Sequence, residues 1–171
     1  MSDSLERRIQ RIEDRQQISE CVIRYAASLD KADWELMKET IAEPIFVDFT
    51  SWAELEARDY SREEWTGFAR DVLSGFDARQ HISPNHVITF QSEDEATCTS
   101  YMYAQHLIRG VPEGDTFIMR GSYTNVLQRK PGGWDTGGWE IRSLTMHFTW
   151  GEGNENLHQL SQERFQQGSV A

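Results

Sequence analysis

The sequence predicts an α+β fold in which helices come first and a run of antiparallel strands follows. Three observations predict it. Apolar residues recur at three- and four-residue steps through the first part of the chain, the period changes to two from residue 79 onward, and turn compositions separate the later segments. This order is typical of helices packed on one face of a curved antiparallel sheet. A strongly bent sheet of this kind forms a cone with an apolar interior that suits a small molecule.

Helices are predicted by apolar stripes and by capping residues. The first helix has a charged beginning and a more apolar second half, which we expect to be buried. Asp33 fits the N-cap of a second helix, which Pro44 is expected to end. Ser61 and Glu64 form a capping-box pattern before a third apolar stripe. The predicted helical segments are 4–29, 30–41 and 61–76.

Strands are predicted by alternation of apolar and polar residues between turn-forming segments. The predicted strands are 45–49, 79–90, 96–109, 116–129 and 138–150. The remaining tail is predicted to be a short helix with frayed ends. A length of 171 residues favours a single domain, 1–171, with its core at about 5–150 and the helical tail at 151–171.

Composition and charge narrow the class of protein. Apolar residues make up 38% and charged residues 26% of the chain, which is typical of a globular protein. The net charge of −11 disfavours binding to phosphate backbones, so we expect no nucleic-acid partner. We expect no membrane partner either, because no apolar run approaches the roughly 20 residues that span a bilayer. The absence of a signal peptide and the presence of only Cys21 and Cys98 favour a reduced, cytoplasmic protein.

Two of the five histidines lie where neighbouring strands could bring them together. His81 stands near the start of the first long strand, and His106 stands late in the next, on its more apolar face with Met102 and Ala104. For either histidine, the alternative is a partly buried side chain bound to a backbone group. His86 follows a Ser-Pro-Asn break and is expected to be a strand residue that faces a neighbour or solvent.

Three further polar residues could contribute to a site. Asp30 ends a helical segment in which Tyr25 and Leu29 point inward, so its carboxylate would be desolvated and would need a partner such as an imidazole. An Asp-His pair fixes the tautomer of the histidine and makes it a better base. Tyr123 and Asn125 share one face of a later strand and could orient a substrate oxygen. The alternatives are a turn position for Asp30 and strand decoration for the other two.

Several other kinds of site are not expected. The sequence contains no nucleophile elbow, Walker loop or dinucleotide-binding glycine motif. His81 and His86 would lie on opposite faces of an unbroken strand, and no clustered carboxylates support them as ligands. We therefore expect neither a metal ion nor a cofactor.

The segment IRYAASLDKADWELMKETIAEPIFVDF resembles the opening of SnoaL-like domains of the nuclear-transport-factor-2-like superfamily. A tyrosine-bearing helix ends in an aspartate and is followed by a polar pair, a tryptophan and a short second helix. The resemblance covers roughly residues 5–150 and implies a cone-shaped α+β barrel. The pattern is most similar to scytalone dehydratase and hexachlorocyclohexane dehydrochlorinase, which use an Asp-His pair without metal or cofactor. Their aspartate matches Asp30, and their histidine, in a segment like HISPN, matches His81.

This resemblance implies a cofactor-independent lyase of dehydratase type. His81 would take a proton from carbon next to a carbonyl or an electron-poor ring, and Asp30 would orient it. The second pocket histidine and the pocket asparagine of the dehydratase match His106, which would bind or protonate the leaving oxygen, and Asn125. Leu29 stands where the dehydratase has a water-holding tyrosine, which argues against scytalone itself as the substrate. The expected substrate-binding residues are Tyr25, Phe49, Tyr123, Asn125 and Phe148.

The supply of aromatic side chains suits a small hydrophobic, cyclic or aromatic substrate. The resemblance also implies a homo-oligomer, a trimer in preference to a dimer. One rival is an isomerase or polyketide cyclase of the same fold, with Asp48 as base and Tyr123 as oxyanion donor. Another is a non-catalytic ligand-binding protein or a structural chain like the small subunit of ring-hydroxylating dioxygenases. The aromatic candidates for the pocket are Trp52, Trp65, Phe76, Phe148 and Trp150.

Overall fold

The computed structural model of the protein describes residues 4–132 and 138–168. Residues 133–137, part of the glycine-rich turn before the last strand, lie outside the described residues. The described elements, in chain order, are α1 (Leu5–Lys31), α2 (Trp34–Thr40), β1 (Ile41–Asp48), β2 (Arg58–Tyr60), α3 (Arg62–Leu73), β3 (Ala78–Ile82), β4 (Val87–Phe90), β5 (Glu95–Leu107), β6 (Thr116–Arg129), β7 (Trp139–Gly153) and α4 (Leu157–Gln166).

The strands form one curved, unclosed sheet in the order β2-β1-β7-β6-β5-β3, and β4 also pairs with β5. The β1–β7 pair is parallel and the other pairs are antiparallel. The register shifts twice along the β6–β7 pair, after Arg120 and after Val126. Such bulges bend a strand and increase its twist, which curves the sheet toward the helices. The predicted α+β class, with the N-terminal helices against the concave face, is confirmed.

The helix starts follow the predicted capping residues. The Asp33 side chain accepts a hydrogen bond from the backbone N–H of Leu36 at 3.0 Å, and Ser61 and Glu64 form both bonds of a capping box. The expectation that Pro44 ends α2 is wrong, because α2 already ends at Thr40. Pro44 lies within β1, where its exposed position interrupts the register with β7. A proline is tolerated at such an irregularity because its missing N–H is not needed there.

The predicted strand at 79–90 is interrupted and forms β3 and β4. Pro84 has no N–H to donate, and Asn85 has a left-handed backbone with φ of 62°. The Pro84 carbonyl accepts a hydrogen bond from the N–H of Tyr101 at 2.9 Å, which ties the break to β5. The two halves therefore pair with different stretches of β5, and β3 alone carries His81. The short strand β2 was not predicted from the sequence.

The helices and the inner face of the sheet enclose a shared apolar core. Fully buried side chains come from α1, α2 and β1 and from the long strands β5, β6 and β7. Within the described residues, no helix is both long enough and apolar enough to cross a membrane. The largest of these buried side chains include Ile18, Met37, Ile45, Leu127 and Ile141.

Candidate active site

Asp30 and His81 are in direct contact where the end of α1 crosses β3. The Oδ1 atom of Asp30 accepts hydrogen bonds from the backbone N–H of His81 at 2.9 Å and from its Nδ1 at 2.8 Å. The Asp30 and His81 side chains are 25% and 11% exposed, respectively. Because a carboxylate only accepts, the proton lies on Nδ1, and Nε2 keeps its lone pair. In the described part of the chain, this Nε2 has no hydrogen-bond partner.

Arg79 holds the helix ends beside this pair. It precedes His81 by two residues, so both side chains point to the inner face of β3. Its Nε donates to the carbonyl of Leu29 at 2.6 Å, and its Nη1 donates to the carbonyl of Leu73 at 3.0 Å. The guanidinium thereby joins the C-terminal ends of α1 and α3 and keeps Asp30 over the strand. The sequence analysis missed this residue, although its strand parity with His81 was a usable signal.

His106 lies on β5 beside β3. It is 1% exposed, and its ring centroid lies 5.3 Å from that of His81. Neither ring nitrogen makes a hydrogen bond of good geometry with the residues that the structure describes, although the backbone of Phe117, its partner on β6, lies close to the ring. Burial lowers the pKa of His106 well below its usual range, the neighbouring His158 and His81 lower it further, and the backbone of Phe117 partly opposes them. The imidazole is therefore neutral at physiological pH.

His158 on α4 is a third imidazole that the sequence analysis missed. Its ring centroid lies 4.4 Å from that of His106 and 4.9 Å from that of Trp52. Its Nδ1 atom is buried without a partner among the described residues. Burial, with a contribution from His81, lowers the pKa of His158 to about 4. The usable signal in the sequence was the pair of apolar residues around it in the tail, Leu157 and Leu160.

Three cavities border His81. One, of about 270 Å³, is an open groove that Asp30 and Pro84 also border. The other two adjoin each other between the helices and the sheet, and the larger of them, of about 60 Å³, lies toward α3 and α4 and has mainly aromatic and aliphatic walls. The smaller, of about 20 Å³, lies toward β5, β6 and β7. His81, Tyr25, Leu29 and Tyr123 border both cavities. A ligand that spans them would therefore pass beside the free nitrogen of His81. The larger cavity is also bordered by Phe49, Trp52, Trp65, His106, Met119 and His158.

The predicted substrate-binding residues differ in their placement. Tyr25 accepts a hydrogen bond from Trp65 Nε1 at 3.1 Å, and burial raises the pKa of both Tyr25 and Tyr123, which keeps these phenols neutral. Asn125 is 2% exposed and borders the smaller cavity, and its amide has no hydrogen-bond partner in the described ranges. Phe49 borders the larger cavity. Phe148 borders neither one; its backbone N–H donates to Ser51 Oγ at 3.0 Å.

Two other expectations are corrected. Asp48, the base of the isomerase rival, accepts hydrogen bonds from the Oγ1 and the N–H of Thr50 at 2.6 and 3.1 Å. These bonds lower the pKa of Asp48, and its side chain borders neither cavity, so it is poorly placed as a base. His86 lies just before β4 and not in a strand, and it does face a neighbour, because its Nδ1 lies 2.7 Å from Ser19 Oγ of α1. Across residues 4–132 and 138–168, no three His, Cys, Asp or Glu side chains are grouped to hold a metal ion.

A family model described as a SnoaL-like domain matches residues 10–145 of the sequence. The chain belongs to the SnoaL-like domain family. The resemblance stated from the sequence is thereby confirmed. No curated protein matches the sequence. The matched region runs from Gln10 in α1 to Thr145 in the first half of β7. Helix α4 and His158 lie beyond it.

Solved structures resemble this SnoaL-like chain over most of its length. A protein from Kribbella flavida is 25% identical, with a TM-score of 0.77 over 86% of this chain and 97% of that one. A candidate scytalone dehydratase from Novosphingobium aromaticivorans is 19% identical, with a TM-score of 0.72 over 85% and 91%. A type 2 hexachlorocyclohexane dehydrochlorinase is 16% identical, with a TM-score of 0.70 over 85% and 92%. At these identities the last two show a shared fold.

Proposed function

We propose that the protein is a cofactor-independent lyase of dehydratase type. The observation that carries the proposal is the hydrogen bond between Asp30 and His81 Nδ1, which leaves Nε2 free at the junction of the two cavities. An oriented imidazole with one free nitrogen beside an apolar pocket is the arrangement that general base catalysis requires. Two of the similar structures carry the names of eliminating enzymes, a dehydratase and a dehydrochlorinase, which supports the same class of reaction.

The proposed step is an elimination. His81 Nε2 takes a proton from carbon, the C–H electron pair becomes a C=C bond, and the neighbouring carbon loses its leaving group with the electron pair of the broken bond. Asp30 is a positioning residue that stabilises the imidazolium. Asn125 and Tyr123 would bind the carbonyl oxygen through their unpartnered polar groups, and neutral His106 would bind the leaving oxygen. A general base typically contributes about 10²- to 10⁴-fold, so orientation in a dry pocket must supply the rest.

The substrate class follows from the cavity walls. Aromatic and aliphatic side chains dominate them, and the nearby cation, Arg79, is engaged with two backbone carbonyls. An uncharged cyclic compound with oxygen substituents fits this chemistry. A cavity of about 150 Å³ holds benzene, so the larger cavity, at about 60 Å³, must widen to admit a ring. Trp52 and Phe49, at its border, are the side chains we expect to move.

A β-hydroxy ketone tests the proposal directly. With 3-hydroxycyclohexanone as probe, dehydration to cyclohex-2-enone is followed by the absorbance of the conjugated enone. We expect His81→Ala to lower kcat at least about 10²-fold, because the base is removed. His86→Ala is the matched control, since His86 contacts Ser19 and borders neither cavity. Near-full activity in His81→Ala would rule out the role assigned to His81.

The same probe separates the rival functions. An isomerase that used Asp48 would release no enone, and its proton abstraction, measured as exchange of the α-hydrogens in D₂O, would be lost in Asp48→Ala and kept in His81→Ala. A non-catalytic protein has no need for the 2.8 Å contact between Asp30 and His81, and would release no enone. Co-purification with a larger iron-containing chain would favour the structural rival, a chain like the small subunit of ring-hydroxylating dioxygenases. The single domain over residues 1–171, the homotrimer and the cytoplasmic location stay predictions.

A further inference from the structure

We infer that His158 is a third catalytic imidazole, which acts together with His106 on the oxygen that leaves the substrate. The inference rests on the proposed elimination and adds to it a group from α4, which lies beyond the residues that the family model matches. Three features of the structure support it: the fixed position of α4, the unpartnered nitrogen atoms around the cavity, and the order in which the polar groups line it.

The first feature is that α4 is firmly docked. Ser161 Oγ donates to the carbonyl of Val72, near the end of α3, at 2.7 Å. At Gly75, a Cβ atom would lie 1.9 Å from the carbonyl oxygen of Ser161, so α4 packs directly against the backbone there. Leu157 is fully buried, and Arg164 donates to Asp77 at 2.8 Å. His158 is therefore held in place before any ligand binds, which is what a catalytic donor requires.

The second feature is the apolar surroundings of the ring. His158 on α4 makes edge-to-face contacts with Trp52, Phe76 and Phe117, at centroid distances of 4.9, 5.3 and 5.7 Å. A phenyl ring would suit such a position equally well, whereas an imidazole leaves its Nδ1 buried without a partner. Buried polar atoms normally have hydrogen-bond partners, and exceptions in a cavity wall point to a ligand that supplies them. The low pKa of His158 keeps it neutral, so one ring nitrogen carries a proton to donate.

The third feature is the order of polar groups along the two cavities. The His106–His158 pair lies in the larger cavity, Asn125 lies in the smaller one, and His81 borders both. A substrate with its carbonyl at Asn125 and its hydroxyl at the imidazole pair would place the carbon between them beside His81. The substrate class is therefore an uncharged β-hydroxy carbonyl compound, in which that carbon carries the acidic hydrogen.

The chemical step balances without any further reactant. The C–O bond breaks with its electron pair on oxygen, while two neutral imidazole N–H groups hydrogen-bond to that oxygen as negative charge develops. The proton that His81 removed from carbon then completes the departing water. His106 and His158 each keep their own proton and act like the donors of an oxyanion hole.

The test separates proton abstraction from loss of the hydroxyl. In D₂O, NMR follows the exchange of the α-hydrogens of 3-hydroxycyclohexanone and the formation of cyclohex-2-enone at the same time. His158→Phe should lower enone formation about 10²-fold, the typical effect of one lost donor, and should leave exchange within about threefold because His81 is intact. His158→Gln, which keeps a donor, should recover part of the lost rate. His147→Phe is the control, because His147 is exposed and bonded to Thr124.

The other outcomes are equally decisive. Equal loss of exchange and enone formation in His158→Phe, or loss of neither, would overturn the inference. Absence of both reactions in the wild-type protein would overturn the proposed function instead, and the inference would then be decided by binding. Ring ¹⁵N signals of the wild-type protein, titrated with 3-hydroxycyclohexanone, whose hydroxyl is the group assigned to the imidazole pair, should shift at both His106 and His158. A shift at His81 without one at His158, or no shift at any of the three, would refute a ligand-binding role for His158.

Discussion

Helix α1 carries two carboxylates that contact the sheet, Asp14 in its first half and Asp30 near its C-terminal end. The two sites differ in how many of their polar atoms have hydrogen-bond partners among the described residues. Asp14, near the start of the helix, is 4% exposed and receives four hydrogen bonds. Arg129 binds both of its oxygens, at 2.9 and 3.0 Å, and Arg129 itself continues to Asp94. Asp14 and Arg129 find their partners within the protein, as structural groups usually do.

Asp30, at the other end of the helix, belongs to a polar group that also contains His81, His106 and His158. This group is incomplete, because ring nitrogens of His106 and His158 have no hydrogen-bond partner among the described residues. One of the Asp30 oxygens receives both bonds from His81, and beyond His81 the described residues supply no partner for the nitrogens of His106 or for Nδ1 of His158. Leaving a buried polar atom unsatisfied costs about 1–3 kcal/mol. The comparison teaches that burial alone does not mark a site, whereas burial without partners beside a cavity does.

The largest effect should come from removing the two carboxylates in turn. Asp14→Ala leaves Arg129 without its buried partner and should cost about 3–5 kcal/mol of unfolding free energy. Asp30→Ala removes a quarter-exposed side chain from the same helix and should cost about 1 kcal/mol, while elimination is lost. Urea unfolding of both variants measures the difference. Equal losses of stability would contradict the distinction between a structural and a functional end of α1.

A second, smaller effect is a pH dependence of stability that comes from His158. The pKa of this group is lowered from 6.5 to about 4 by burial, so the unfolded chain binds a proton that the folded protein does not bind between these values. Stability must therefore fall as pH falls from about 6.5 to about 4, with no further loss below. The 2.5-unit difference between the two values, at about 1.4 kcal/mol per unit, corresponds to roughly 3 kcal/mol at most.

His158→Phe should remove that dependence. The phenyl ring keeps the contacts of the site and cannot bind a proton, so urea unfolding at pH 7 and pH 4.5 should show a shallower loss than in the wild-type protein. Carboxylates whose pKa values are lowered, such as Asp48 and Asp77, remain in both proteins and cancel in the comparison. His106 and His81 border the same cavity and are present in both proteins. Identical losses in the two proteins would show that His158 is not buried in neutral form.

Local patterns in the sequence were sufficient for much of the fold and for part of the site. The change of period predicted where helices give way to strands, and Asp33, Ser61 and Glu64 marked two helix starts because capping is a local interaction. The contact between Asp30 and His81 joins positions 51 residues apart, and it was predicted through the resemblance to a known family. Their catalytic roles stay predictions.

The features that the sequence did not disclose depend on packing between distant segments. His158 reaches the site because α4 lies against Gly75 and Val72 of the α3 end, and no periodicity in the tail encodes that contact. In the sequence, Arg79 looks like any exposed cationic residue of a strand. Its contacts with the ends of α1 and α3 exist only in the folded protein. The break at Pro84 was a visible signal whose consequence was missed, since it separates β3 from β4 and leaves His86 to bond with Ser19.

The smallest predicted change in stability concerns two buried residues of β5, Ser100 and His106. Substitution of the two should change stability in opposite directions. Ser100 has a partner in Ser83 at 2.8 Å, whereas His106 has none among the described residues. Ser100→Ala should therefore lower stability by about 1 kcal/mol, because it leaves the Ser83 hydroxyl without its hydrogen-bond partner. His106→Leu should raise stability by about 1 kcal/mol, or about 2–4 °C in Tm for a chain of this size, while dehydration of the probe falls at least about 10²-fold.

This opposition of stability and activity is the expected mark of a group kept for a ligand. An apolar side chain of similar volume removes the unsatisfied nitrogens of His106 and keeps its contact with Phe76, at a ring distance of 4.7 Å. Thermal unfolding by circular dichroism and the enone assay on the same preparations measure both quantities. If His106→Leu destabilised the protein as much as Ser100→Ala, the imidazole would have an internal partner, and the incomplete polar group around His81 would be as structural as the one around Asp14.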